Sequence, residues 1–213
     1  MSVLAAGVLL STSLVAVSPA HAQTLGDDVL TSSEITASLD NAGALVQSAL
    51  PSVSSSQDAA IASSGGVTVE VPKDLKAGVD LTGTGLNLTI HLPNAEDAGV
   101  GVKNSDGQIV YPSSEASANT VIPVDGGVQM LTTISNAQAP TTYRYDIEVP
   151  AGGTVVVNED GTAQVVDGSG QVVLFVQKSW AKDANDISVP THYETDGASL
   201  TQVIEHTSAE YAY

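Results

Sequence analysis

One seven-residue run constrains the fold of this chain more than any other feature. From Tyr143 to Val149 apolar and polar residues alternate without error, and a charged residue occupies every second position. A β-strand turns successive side chains to opposite faces of its sheet, so this period of two indicates one buried and one solvated face. The expected inward-facing residues are Tyr143, Tyr145, Ile147 and Val149, and the expected outward-facing residues are Arg144, Asp146 and Glu148.

The chain from Val67 onward continues in short β-rich runs that are separated by Gly, Asp and Pro. No helical pattern follows residue 66, so the crossover helices that a parallel βαβ sheet needs are missing. Short strands with turn signals at regular spacing are typical of sandwiches and barrels. We therefore predict an all-β fold, an antiparallel β-sandwich of about a dozen short strands. The predicted strands are 67–71, 86–92, 100–103, 108–111, 120–124, 128–134, 143–149, 154–157, 162–166, 171–176, 191–195 and 199–205.

A single short N-terminal helix is expected before the β-rich region. Thr31 and Glu34 have the spacing of a capping box, and apolar residues then recur at helical intervals as far as Leu50. We predict a helix from about Ser32 to Leu50, either docked on the β domain or disordered. The segment from Ser52 to Gly66 is rich in Ser, Ala and Gly, which predicts a linker. The expected domains are residues 23–65, helix plus linker, and residues 66–213, the β-sandwich.

Residues 1–22 have the pattern of a secretory signal peptide. An apolar run ends in a small–x–small cleavage site at Ala20–Ala22, so the mature chain would begin at Gln23. No later stretch is long and apolar enough to span a membrane. The chain has no cysteine, so a secreted, extracellular form folds without disulfides.

The charge balance narrows the range of partners. The chain carries 24 acidic residues against 6 basic ones, a net charge of −18. A polyanionic surface repels nucleic acid, so nucleic acid is excluded as a partner. The expected partners are a protein or a glycan.

Part of the second half resembles a known segment. Residues 140–206 are similar to a segment of secreted proteins from high-GC Gram-positive bacteria, some of them short exported proteins of unknown function and others associated with Rhs/YD-type repeats. The resemblance implies no catalytic residues. In those proteins a further run of residues begins at the position that corresponds to Tyr213. The resemblance therefore leaves open whether the β-sandwich domain of this chain is truncated at its C-terminus. The resemblance is carried by residues 143–146, 149–152, 158–161, 180–184, 189–193 and 200–206.

Two clusters of residues are candidates for metal binding. Asp183, Asn185 and Asp186 resemble the start of a calcium loop, but the following positions lack the required ligand and glycine, so turn chemistry is the competing interpretation. His192 and Glu194 share a strand face and, with His206, would suit zinc or iron. His192 and His206 lie at unequal distances from the turn at 196–197, so they would not be opposite one another in a tight hairpin. This spacing favours the interpretation that they are surface or edge histidines.

Aromatic residues provide a candidate ligand site. An exposed Trp180, the only tryptophan, with Tyr193 would stack on a sugar ring. The competing interpretation is that Trp180 closes one end of the sandwich. Ser169 lies between glycines but lacks the spacing and the following helix of a nucleophile elbow, so it belongs to a turn.

These observations predict a secreted, non-enzymatic β-sandwich module with a structural or interaction role of the cell-surface, adhesion-like kind. A carbohydrate- or Ca²⁺-binding module is the first alternative, based on Trp180, Tyr193 and the Asp-rich turns. A secreted hydrolase is the second, although no pair of carboxylates is singled out for it.

Overall fold

The computed structural model describes residues 13–16, 30–50, 53–55 and 59–213, and it is mostly antiparallel β-structure with one short helix. The helix is α1 (Ser32–Ala42). The strands are β1 (Ser13–Ala16), β2 (Ser54–Ser55), β3 (Ala59–Ser64), β4 (Val67–Pro72), β5 (Val79–Gly83), β6 (Leu86–His91), β7 (Val102–Lys103), β8 (Ile109–Tyr111), β9 (Ser117–Val124), β10 (Gly127–Ile134), β11 (Thr142–Ile147), β12 (Thr154–Val157), β13 (Ala163–Val166), β14 (Val172–Val176), β15 (Trp180–Lys182), β16 (Thr191–Thr195) and β17 (Ser199–Ile204).

Two large sheets form a sandwich, as the sequence predicts. The eight-stranded sheet has the order β16-β17-β11-β6-β5-β4-β3-β2, and the six-stranded sheet has the order β15-β1-β10-β9-β8-β7. The main hydrophobic core lies between them and is built largely from Val, Ile and Leu. These residues suit the pleated surface of a sheet, so their local preference for strands and their packing in the core favour the same structure. The third sheet, β12-β13-β14, is called here the meander sheet.

The alternation from Tyr143 is confirmed in β11. Its residues alternate between exposed and buried, and Tyr143 and Tyr145 are fully buried. The regular strand ends at Ile147, and Val149 packs against the core from just beyond it. Burial raises the pKa of both tyrosine hydroxyls far above the usual value, so they stay uncharged in the core.

The helix begins where the sequence predicts and ends earlier. Thr31 and Glu34 form the expected capping box. The predicted end at Leu50 is wrong, because Gly43 takes a left-handed φ of 55° and a single 3₁₀ turn follows at Gly43–Leu45. Ile35 and Leu39 are buried against the outer face of the six-stranded sheet, so the helix is docked on the β domain.

The buried side-chain amide of Gln129 binds the segment that follows α1 through two hydrogen bonds. The Gln129 side chain accepts a hydrogen bond from the Gln47 backbone N–H at 2.8 Å and donates one to the Leu45 carbonyl at 2.9 Å. Gln129 lies in β10, whose residues are all buried. Both faces of β10 are covered because the eight-stranded sheet lies on one side and the helical layer on the other.

The predicted linker from Ser52 to Gly66 is wrong over most of its described length. Residues 59–64 form β3, which pairs with β4 along its whole length through a tight turn at Gly65 and Gly66. The predicted domain boundary at 65/66 therefore lies inside a hairpin. Ala and Ser have low strand preference, and it is the pairing with β4 that makes this segment a strand.

Strand β1 falls within the predicted signal segment. It lies between β10 and β15 and pairs with both in parallel, with Leu14 opposite Thr132 on one side and Ala181 on the other. The rest of residues 1–22, including the predicted cleavage site, lies outside the described residues.

Candidate functional site

The meander sheet is anchored to the rest of the molecule through its inner face. Val155, Val165 and Leu174 lie side by side across the three strands and are buried in the main core. The sequence predicts these three strands and their short turns, and the structure confirms them. The inner face therefore holds the sheet rigidly while its other face points outward.

The two turns of the meander sheet are stabilised by their own aspartates. Asp160 accepts hydrogen bonds from the Thr162 hydroxyl and backbone N–H, and Asp167 accepts bonds from the Ser169 hydroxyl and from the backbone N–H groups of Ser169 and Gln171. The Thr162 and Ser169 hydroxyls are the main reason that the pKa of each carboxyl is lowered. The side chains of Asp160, Asp167 and Ser169 are therefore engaged in hydrogen bonds that stabilise the two turns.

The outer face of the meander sheet is uncharged and mostly apolar. Val172 is 38% exposed and Phe175 is 39% exposed, on a chain whose net charge is −18. Phe175 is the only aromatic among the exposed large hydrophobic residues of the described chain. This surface is called here the meander face. Its six outward-facing residues are Thr154, Val156, Gln164, Val166, Val172 and Phe175.

One edge of the meander sheet is closed and the other is open. At the closed edge the Val155 N–H of β12 donates to the Gly197 carbonyl at 2.8 Å. At the open edge β14 pairs with β13, and among the described residues no second strand lies beside it. A strand edge presents unpaired backbone N–H and C=O groups, which makes it a template for another strand.

The predicted calcium residues lie in a closed turn. Asp183 is buried, and its carboxylate accepts hydrogen bonds from the backbone N–H groups of Asn185, Ile187 and Ala212 at 2.8–3.0 Å. Burial alone raises the pKa of Asp183, but these three donors outweigh it and the pKa is lowered. Asp186 has a left-handed φ of 63° and pairs with Lys182. The geometry matches the turn interpretation.

The structure separates the two aromatic residues of the predicted sugar site. Trp180 lies in β15, is half-buried and packs against the cluster under the helix. Tyr193 lies in β16, where it is 5% exposed and belongs to the main core. Tyr193 therefore presents no free ring face to a sugar.

The two histidines also fail to converge. His192 is exposed, with its Nε2 atom 3.5 Å from Glu194 Oε1. His206 is buried, its Nε2 atom donates to the Pro140 carbonyl at 3.0 Å, and its Nδ1 atom lies 2.9 Å from the Tyr213 hydroxyl. His206 therefore ties the C-terminal segment to the loop before β11.

A depression of about 380 Å³ beside α1 is lined by Asp40, Asp106 and Gln108 among others. No group of three or more His, Asp or Glu side chains is placed to hold a metal ion in the part of the chain that the structure describes. In that same part, no helix has the length and apolar character to cross a membrane.

The sequence predicts β14 but does not predict its exposed face. The run Val-Val-Leu-Phe-Val at 172–176 is continuously apolar. Such a run is consistent with burial on both faces. The order of the strands shows that β14 lies at an edge, and the exposure of Val172 and Phe175 shows that one of its faces points outward.

Comparison of the chain with protein-family models, with curated proteins and with solved structures finds no match.

Proposed function

We propose that this chain is a secreted, non-enzymatic β-sandwich module that binds a partner protein through the meander face and the open edge of β14. The observation that carries the proposal is the exposed, uncharged surface around Phe175 on an otherwise strongly acidic molecule. Exposed apolar surface beside an unpaired strand edge is how many domains capture an extended partner segment.

Two features of the surface favour binding of an extended strand. The inner face of the meander sheet is fixed in the core, so the open edge is held in place before a partner arrives. Val172 and Phe175 both point outward, on either side of a register shift between β13 and β14, and would contact outward-facing side chains of an added strand. Backbone hydrogen bonds would then supply affinity, and these two contacts would supply selectivity.

Selection from a displayed library of random peptides tests this role. The purified chain is the bait, with Phe175→Lys as the altered bait and Ile187→Lys as the matched control, because Ile187 is 50% exposed and lies outside the meander sheet. We expect selected peptides to alternate apolar and polar residues, to bind the Ile187→Lys variant normally and to lose binding to Phe175→Lys. Peptides that bind all three baits equally would contradict the proposal.

Carbohydrate binding at the same face is the second candidate. Gln164 lies opposite Phe175 on neighbouring strands, which places an amide beside an exposed ring. An aromatic ring with a few polar groups is typical of sugar sites. A glycan array probed with the chain and with Phe175→Ala would favour this candidate if a sugar bound the first and not the second.

A further inference from the structure

We propose that the secreted form binds an extended, uncharged segment of a partner protein in the space that β1 leaves between β10 and β15. This space, called here the slot, lies between residues 132–134 of β10 and residues 180–182 of β15, and β1 fills it in the uncleaved chain. The inference rests on the cleavage before Gln23 that belongs to the proposed function. It goes beyond the meander face because the slot lies in the six-stranded sheet.

The slot has a strand on each of its two sides. Strand β1 pairs in parallel with β10 and with β15, whereas a strand added at β14 would pair on one side only. Removal of β1 exposes strand edges on both sides of the slot, and unpaired backbone groups at such edges are a template for another strand. An occupant of the slot therefore gains hydrogen bonds along both of its edges.

Strand β15 has contacts of its own that keep the slot in place without β1. The Val189 N–H donates to the Ala181 carbonyl at 2.9 Å, and the Gln202 side-chain amide donates to the Trp180 carbonyl at 3.3 Å. Ala181 is also buried in the main core. These contacts come from elements other than β1, so cleavage leaves them intact.

The register of β1 indicates which residues an occupant needs. Directly opposite residues on paired strands lie on the same face of the sheet. Ile134 and Ala181 are buried in the main core, so the occupant's residues opposite them must be apolar. The position between these two lies opposite Thr133, which shares its face with Leu131 of the cluster under the helix. A suitable segment therefore has one residue on the helical side between two apolar residues on the core side.

The hydroxyl of Thr133 identifies the chemistry of the middle residue. Thr133 is fully buried, and in the described part of the chain its Oγ1 atom has no hydrogen-bond partner. The residue opposite is Val15, and a valine side chain has no polar atom. On the other side of the same position Lys182 already pairs with Asp186.

A buried hydroxyl without a partner costs free energy, and a Ser or Thr opposite Thr133 would supply the missing hydrogen bond. The chain's own strand is therefore a poorer occupant than a partner segment with the pattern apolar–Ser/Thr–apolar. Both faces of the slot are covered, so charged residues are excluded from these three positions.

Peptide binding to two forms of the chain tests the slot. The probes are a fluorescent peptide with the sequence of residues 11–18 and its Val15→Thr form, and fluorescence anisotropy measures their binding to the secreted protein and to the uncleaved chain. We expect both peptides to bind the secreted protein, and the uncleaved chain to bind them at least about tenfold more weakly because β1 already fills its slot. We expect the secreted protein to bind the Val15→Thr peptide about three- to tenfold more tightly than the other, because it gives Thr133 a partner.

Two buried threonines provide matched variants of the secreted protein. Thr120 is also fully buried with an unpartnered hydroxyl, but it lies in β9, which does not border the slot. We expect Thr133→Val to remove the preference for the Val15→Thr peptide and Thr120→Val to retain it. A preference that survives Thr133→Val, or that both variants lose, would overturn the proposal. Circular dichroism verifies that each variant is folded.

The remaining outcomes separate a failure of the slot from a failure of the proposed function. Equal binding to the secreted and uncleaved forms would overturn the slot. No binding to the secreted form would show that direct pairing of β10 with β15, or another part of the chain, closes the slot, and would also overturn it. Peptides selected on the meander face depend on Phe175 and not on Thr133, so they would still support the proposed function in either case.

Discussion

At the scale of single residues, the alternation in β11 makes two neighbours differ sharply in their contribution to stability. Ile147 is 5% exposed and packs in the main core, whereas Glu148 is exposed. We expect Ile147→Ala to lower the free energy of unfolding by about 2–5 kcal/mol, through lost transfer free energy and a cavity. Glu148→Ala should change it by less than about 0.5 kcal/mol. Urea denaturation of both variants measures this, and a larger loss for Glu148→Ala would mean that the strand faces are reversed.

Asp196 provides a prediction about pH. Its carboxylate accepts hydrogen bonds from the Ala198 N–H, from the Ser199 hydroxyl and from Arg144, in that order of importance, and together they hold its pKa far below the usual 3.8. Because folding favours the ionised form, this stabilisation is present above pH 3.8 and is lost as pH falls towards the lower, folded pKa.

We therefore expect the unmodified chain to resist urea better than Asp196→Asn at neutral pH, with a gap between the two midpoints that narrows below pH 3.8. Urea midpoints of both chains across this pH range test the linkage. A gap that is independent of pH would show that the charge of Asp196 has no part in it.

At the scale of elements, Gln129 connects the helical layer to the six-stranded sheet. Its two hydrogen bonds to the backbone of residues 45 and 47 are lost in Gln129→Ala, which leaves partly buried polar groups without these partners. We expect a cost of about 1–3 kcal/mol and faster amide exchange in α1. Gln171→Ala is the control, since Gln171 is exposed. Equal stability of the two variants would contradict this role for Gln129.

The elements also show why some features could be predicted from the sequence and others could not. The capping box at Thr31 and the faces of β11 depend on neighbours a few residues apart, so the pattern alone determines them. Strand β3 depends on pairing with β4, and its Ala- and Ser-rich sequence resembles a linker. The exposure of Phe175 depends on what covers the outer face of the meander sheet, which is a property of the whole fold.

At the scale of the whole molecule, secretion would change the six-stranded sheet. Cleavage before Gln23 removes β1, which lies between β10 and β15. We expect the secreted protein to begin at Gln23 and its amides at 132–134 and 180–182 to exchange faster than those of the uncleaved chain. Intact-mass measurement and hydrogen exchange of both forms test this. Secreted protein that retains residues 13–16 would contradict the predicted signal peptide.

Amide hydrogen exchange in β14, with and without a peptide selected on the meander face, tests the open edge most directly. We expect some β14 amides of the free chain to exchange much faster than those of β11, because one edge of β14 is open. We expect the bound peptide to protect the same amides. Protection equal to that of β11 in the free chain would mean that another part of the same chain covers this edge, and the proposed binding site would then be wrong.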